Sequence, residues 1–79
     1  MAIEIDRFID DLNPDPTIGQ EFLSLCHRHG IKQVIDLDVL SPSDMGLVCA
    51  GCSSEARTFA DAAQAAAKLL SRGWARGAS

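Results

Sequence analysis

His29–Asp44, HGIKQVIDLDVLSPSD, closes one helix, makes a short apolar passage and opens another helix. Gly30 has no Cβ and can take the left-handed conformation that ends a helix. Ser41 can accept a backbone N–H, Pro42 suits a first helical position, and Asp44 stands where a carboxylate completes a cap. Between these signals Ile31, Val34, Ile35, Leu37 and Leu40 are too dense for a one-sided surface helix. No partner strand is visible elsewhere, so a short buried helix is expected there. This grammar predicts an all-α fold: a compact bundle of four to five short helices with a longer C-terminal one.

Toward the N-terminus, IEIDRFIDDL over 3–12 sets Ile5, Phe8, Ile9 and Leu12 on one face at helical spacing, with acids on the other. Asn13-Pro14-Asp15-Pro16 breaks that helix, because a proline disfavours helical geometry in the residue before it. Thr17, with Gln20 three residues on, reads as the next capping box. From there a helix to about His29 turns Ile18, Phe22, Leu25 and Cys26 inward. Toward the C-terminus, the segment opened by Ser41 runs to about Val48. Cys49-Ala50-Gly51-Cys52 forms a turn, and Ser53 or Ser54 caps the longest helix, over 54–72. Ala56, Phe59, Ala60, Ala63, Ala67 and Leu70 form its apolar stripe. Gly73 is expected to stop it, and Trp74 to fold back as a plug.

The chain thus reads as one helical domain over 1–79. It has an acidic N-terminal helix and turn over 1–16, a helical core over 17–73 and a tail over 74–79. The expected core is Phe8, Phe22, Leu25, Ile31, Val34, Leu37, Leu40, Met45, Phe59, Ala63 and Leu70. With 79 residues, 47% hydrophobic and 5% aromatic, one small core is available and intrinsic disorder is disfavoured. No apolar run approaches the roughly 20 residues of a bilayer span. Three cysteines without a secretory signal fit a reducing cytoplasm better than a disulfide scaffold.

The formal net charge is −4, and it is unevenly placed. Residues 1–25 carry Glu4, Asp6, Asp10, Asp11, Asp15 and Glu21 against Arg7; residues 62–79 carry Lys68, Arg72 and Arg76 without an acid. An acidic surface disfavours phosphate backbones and attracts basic partners. Direct nucleic-acid binding is therefore not expected, and neither is a membrane.

The order of helices resembles that of the sterile alpha motif (SAM) fold. The likeness covers Phe22 to Leu70: HGI at a helix end, IDLDVLSPSDM in the middle, and GCSSEARTFADAAQAAAKLL as the long last helix. Leu37, Leu40, Ser41, Asp44 and Met45 match the family's L-x-x-L-(S/T)-x-x-D-(L/M) stretch. Helix-hairpin-helix domains share the grammar. The resemblance implies protein–protein interaction, pairing an acidic middle surface with the N-terminal end of a neighbour's last helix. Asp36, Asp38 and Asp44 would form the first and Arg57 would stand at the second. The expected function is therefore a non-enzymatic interaction module that docks onto a protein partner, one with a basic surface, or onto itself. The alternative is a small acidic inhibitor or nucleic-acid mimic that blocks a basic surface through Asp6, Asp10, Asp11 and Asp15.

A second alternative is a zinc-stabilised binding domain. Cys26-x-x-His29 and Cys49-x-x-Cys52 are two ligand pairs at zinc spacing, with His27 beside them. Against it, Cys26 lies on an apolar helix face and Gly30 explains the turn without an ion, so no metal or other cofactor is expected. Cys49-x-x-Cys52 ahead of a helix also has redox spacing, but the βαβ scaffold usual for that chemistry is missing. No phosphate-binding glycine loop is present, the serines read as caps, and no catalytic residue is assigned.

Overall fold

The computed structural model describes residues 3–77, with side chains through Arg72. Five helices follow in order: α1 (Ile5–Asp11), α2 (Pro16–Arg28), α3 (Val34–Asp38), α4 (Pro42–Val48) and α5 (Ser54–Gly77). No strand occurs among the described residues; the nearest approach is an isolated antiparallel bridge between Glu4 and Gln33. Ile5 N donates to Lys32 O at 2.9 Å and Val34 N to Ile3 O at 3.0 Å, which ties the chain ahead of α1 to the link ahead of α3.

The decisive middle stretch behaves as its residues require. Gly30, at φ +75°, closes α2: its N–H reaches His27 O at 3.2 Å, and Ile31 N reaches Cys26 O at 2.8 Å. Two carbonyls of the last turn are thereby satisfied, and Ile31 enters the core. Ser41 caps α4, accepting from Asp44 N at 3.1 Å, while Asp44 Oδ2 accepts from Ser41 N at 3.5 Å. Gly51, at φ +79°, shapes the Cys49–Cys52 turn, and Cys52 N donates to Cys49 O at 3.1 Å.

Phe22, Ile5, Ile9, Leu37, Met45, Val34 and Cys26 fill the centre. Ala56, Ala60, Ala63 and Ala67 are fully buried along one face of α5. Their small side chains let α2 and α3 lie close against it. Phe59 meets Phe22 edge to face, with centroids 5.7 Å apart and planes at 83°, a favoured aromatic geometry.

Several expectations are corrected. Asp15, not Thr17, caps α2: Thr17 N donates to Asp15 Oδ1 at 2.9 Å and Pro16 takes the first helical position. Proline's fixed φ suits that place and keeps the preceding residue extended. Leu40 and Phe59 are only partly buried. Leu12, the C-cap of α1, is 37% exposed. Ile35 is 43% exposed, because Val34 and Leu37 already occupy the core side of the five-residue α3. Leu70 is 38% exposed; the buried alanine stripe ends at Ala67. Gly73 does not end α5, which continues to Gly77. The expected plug at Trp74 falls outside the described side chains.

Candidate interaction surface

Most of the acids singled out by sequence are engaged within the chain. Asp36 Oδ2 accepts from Lys32 N and Gln33 N, each at 3.1 Å, and so caps α3. Asp44 is the carboxylate half of the α4 capping box. The side chain of Asp38 is 18% exposed, with Lys68 Nζ 3.8 Å from its carboxylate and hydrogen-bonded at 3.0 Å to its backbone carbonyl. Arg57 lies 3.4 Å from Asp61, one turn along its own helix. Asp36, Asp38 and Asp44 thus each hold a helix end or a neighbouring element, whereas Arg57 pairs only along its own helix.

The N-terminal acids divide differently. Asp6 Oδ1 stands 2.7 Å from His27 Nε2, joining α1 to α2, with both side chains 56% exposed. This is the carboxylate partner that His27 lacks in the sequence, supplied by the fold. Asp15 caps α2. Glu21 reaches across to α5, accepting from Ser53 N at 2.8 Å and Ser53 Oγ at 3.0 Å, while Ser53 Oγ accepts from Ala56 N at 3.2 Å. Asp10 and Asp11, like Glu4 ahead of α1, have no ion pair or side-chain hydrogen bond among the described residues. Asp10 also edges an open groove of about 580 Å³ between α1 and α2, with Arg7, Asn13, Gln20 and Leu23.

The sequence reading missed an apolar surface. Val39 is 70% exposed, Leu69 67%, Ile35 43% and Leu70 38%. All four lie on α3 or α5 or at the end of α3, elements packed against each other. Val39 directly follows Asp38 and Leu69 directly follows Lys68, the two residues that join the end of α3 to α5. Gln64, a turn earlier, fastens the same seam: its Nε2 donates to Leu37 O at 3.2 Å and Leu40 O at 2.9 Å. The last carbonyls of α3 are thereby satisfied from α5 rather than by water. The density of apolar residues over 31–40 was the available signal, since a five-residue helix cannot bury all of them. Leu47 on α4, 66% exposed, stands apart in sequence from this set.

The zinc candidates are not gathered. His29 is an exposed C-cap, whereas Cys26 and Cys49 are buried. Among the described residues no three His, Cys, Asp or Glu side chains converge as an ion-binding set. Burial pushes the Cys26 thiol up to about 12, with smaller contributions from Cys49 and Asp6. Burial also raises Cys49, reinforced by Cys52 and opposed by Arg57. Both therefore stay protonated at neutral pH. No helix among the described residues is long and apolar enough to cross a membrane.

No family model, curated protein or solved structure matches the chain.

Proposed function

We propose that this chain is a non-enzymatic protein-interaction module whose contact surface is the α3–α5 seam. The exposure of Ile35 and Val39 at α3 and of Leu69 and Leu70 on α5, two elements packed against each other, carries this reading. An apolar centre bordered by charge is the usual anatomy of a protein-binding patch, whereas scattered single apolar residues are ordinary surface. The acidic middle surface implied by the SAM resemblance overlaps this seam. In the present reading Asp36 and Asp38 serve as its rim, and the apolar side chains supply most of the affinity. The occupant is a protein with a complementary apolar patch and a basic border, or a second copy of the chain. Three free thiols fit a reducing, cytoplasmic setting.

A second reading, an inhibitor that blocks a basic surface, is favoured by one observation. Asp10 and Asp11 have no charged or hydrogen-bonded partner on their side chains among the described residues, so their field is left for something outside the chain.

Photo-cross-linking separates the two. A photoreactive residue at Val39 or at Asp10 is incorporated, each variant is incubated in native cell extract, and adducts are identified by mass spectrometry. The seam reading expects one protein captured from Val39, with capture abolished in the Leu69→Asp background. Capture from Asp10 alone supports the inhibitor reading, and capture from neither position removes both.

A further inference from the structure

The Cys49-Ala50-Gly51-Cys52 turn contains a reactive pair that the proposed docking role does not use. Cys52 N donates to Cys49 O at 3.1 Å, and Gly51 at φ +79° permits the chain to reverse that tightly. A four-residue reversal brings its end Cα atoms within about 7 Å, a span that a disulfide can bridge without unfolding either helix. The two thiols also differ in access: Cys49 is buried and Cys52 is partly exposed. Cys26, on α2, is buried.

We propose that Cys49 and Cys52 are a redox-modification site, oxidised by a peroxide to an intrachain disulfide. Cys52, the more accessible, gives up its proton, and its sulfur attacks one peroxide oxygen. The O–O bond breaks, and the departing hydroxide takes that proton and leaves as water. Cys52 is now a sulfenic acid. The Cys49 sulfur, losing its own proton, then attacks the Cys52 sulfur. The S–O bond breaks, and a second water departs. Two thiols lose two electrons in total and the peroxide is reduced to two waters. Burial keeps Cys49 protonated until this second step, which suits a resolving thiol better than an attacking one. Burial likewise withholds Cys26 from the peroxide. The closed loop is only four residues, so the bond constrains the unfolded chain little and leaves the helices in place.

The test uses the reduced full chain and one equivalent of hydrogen peroxide. Remaining thiols are alkylated in denaturant, and tryptic peptides are weighed. Cys26 falls in Phe8–Arg28, while Cys49 and Cys52 share Gln33–Arg57. The expected result is an unalkylated Gln33–Arg57 peptide, lighter by two hydrogens than the dithiol, beside an alkylated Phe8–Arg28. Dithiothreitol added before alkylation should restore both labels, and circular dichroism should show unchanged helicity. In Cys52→Ser, Cys49 should remain alkylatable after the same treatment. A link between the two peptides, full labelling of Gln33–Arg57, or sulfinic acid without a disulfide would overturn the assignment. Oxidation of Cys49 in Cys52→Ser would overturn the order of attack.

Discussion

Lys68 spans from α5 to the end of α3, donating from Nζ to the Asp38 carbonyl at 3.0 Å with the Asp38 carboxylate 3.8 Å away. A charge pair of this kind at a partly exposed site contributes little alone, typically about 0.2–1 kcal/mol. Its consequence is positional. It helps fix the register of α3 on α5, with Val39 and Leu69 exposed while Val34 and Leu37 stay buried.

Gln64 does more of that fastening than Lys68. Its amide satisfies the Leu37 and Leu40 carbonyls in a partly buried setting. Removing it leaves the Leu40 carbonyl without a donor among the described residues, at a cost of about 1–3 kcal/mol, while Leu37 O keeps Leu40 N at 3.3 Å. Gln64→Ala should lower stability in urea unfolding by that amount, and by more than Lys68→Ala. Equal losses would mean that the carbonyls find water in the variant.

Glu21 and Ser53 form the second long-range fastening, between α2 and the start of α5. Ser53 also caps α5 through Ala56 N. Loss of a serine cap costs typically about 1 kcal/mol. Ser53→Ala and Glu21→Ala should each destabilise, and the double variant should fall short of their sum, since either change removes the shared contact. Strict additivity in a double-mutant cycle would show that the two side chains act separately.

These fastenings mark the boundary of what the sequence discloses. The caps at Ser41, Asp44 and Gly30 were legible because each depends on residues within one turn of chain. The alanine stripe of α5 was legible from its period. Glu21, Gln64 and Lys68 were not, because their partners lie 32, 27, 24 and 30 residues away. The same holds for Asp6 and His27. Ile35 shows the limit for burial: hydrophobicity alone does not say which members of a dense apolar run a five-residue helix can turn inward. The Cys49–Cys52 turn was legible as well, and Gly51 at φ +79° forms it.

Two glycines inside helices should respond oppositely to alanine. A Cβ at Gly46 in α4 meets nothing within 4 Å, so Gly46→Ala should stabilise by about 0.5–1 kcal/mol by favouring the helix. A Cβ at Gly19 in α2 falls 2.9 Å from Pro14 Cγ, a ring with little freedom to move away. Gly19→Ala should therefore destabilise, by about 1–3 kcal/mol for an overpacked site. Thermal melts of both variants test the pair.

Stability should fall in alkali through Cys26. Burial raises its folded value from about 9 for a free thiol to about 12. Below pH 9 the thiol is protonated whether folded or unfolded, and its contribution is fully present. As pH rises from 9 toward 12, the unfolded chain ionises it first and unfolding is favoured, by up to about 1.4 kcal/mol per pH unit. Cys49 is shifted in the same direction and adds to the slope. Urea midpoints measured across this range should decline, and Cys26→Ala should flatten but not abolish the decline. An unchanged slope in that variant would place the effect elsewhere.

Charge reversal at Asp36 and Asp38 is a poor probe of the docking face, since Asp36 caps α3 and Asp38 is bonded to Lys68. Val39 and Leu69 have no such duties among the described contacts. The affinity of the cross-linked partner for the Val39→Asp/Leu69→Asp double variant therefore tests the central claim most directly, with Asp10→Lys/Asp11→Lys measured beside it at low and high salt. If the seam is the contact, the first variant weakens binding by about 2 kcal/mol or more, roughly thirtyfold. Added salt then acts mainly on the association rate, and the second variant has a smaller effect. Wild-type affinity in Val39→Asp/Leu69→Asp, together with loss of binding in Asp10→Lys/Asp11→Lys, would contradict the account.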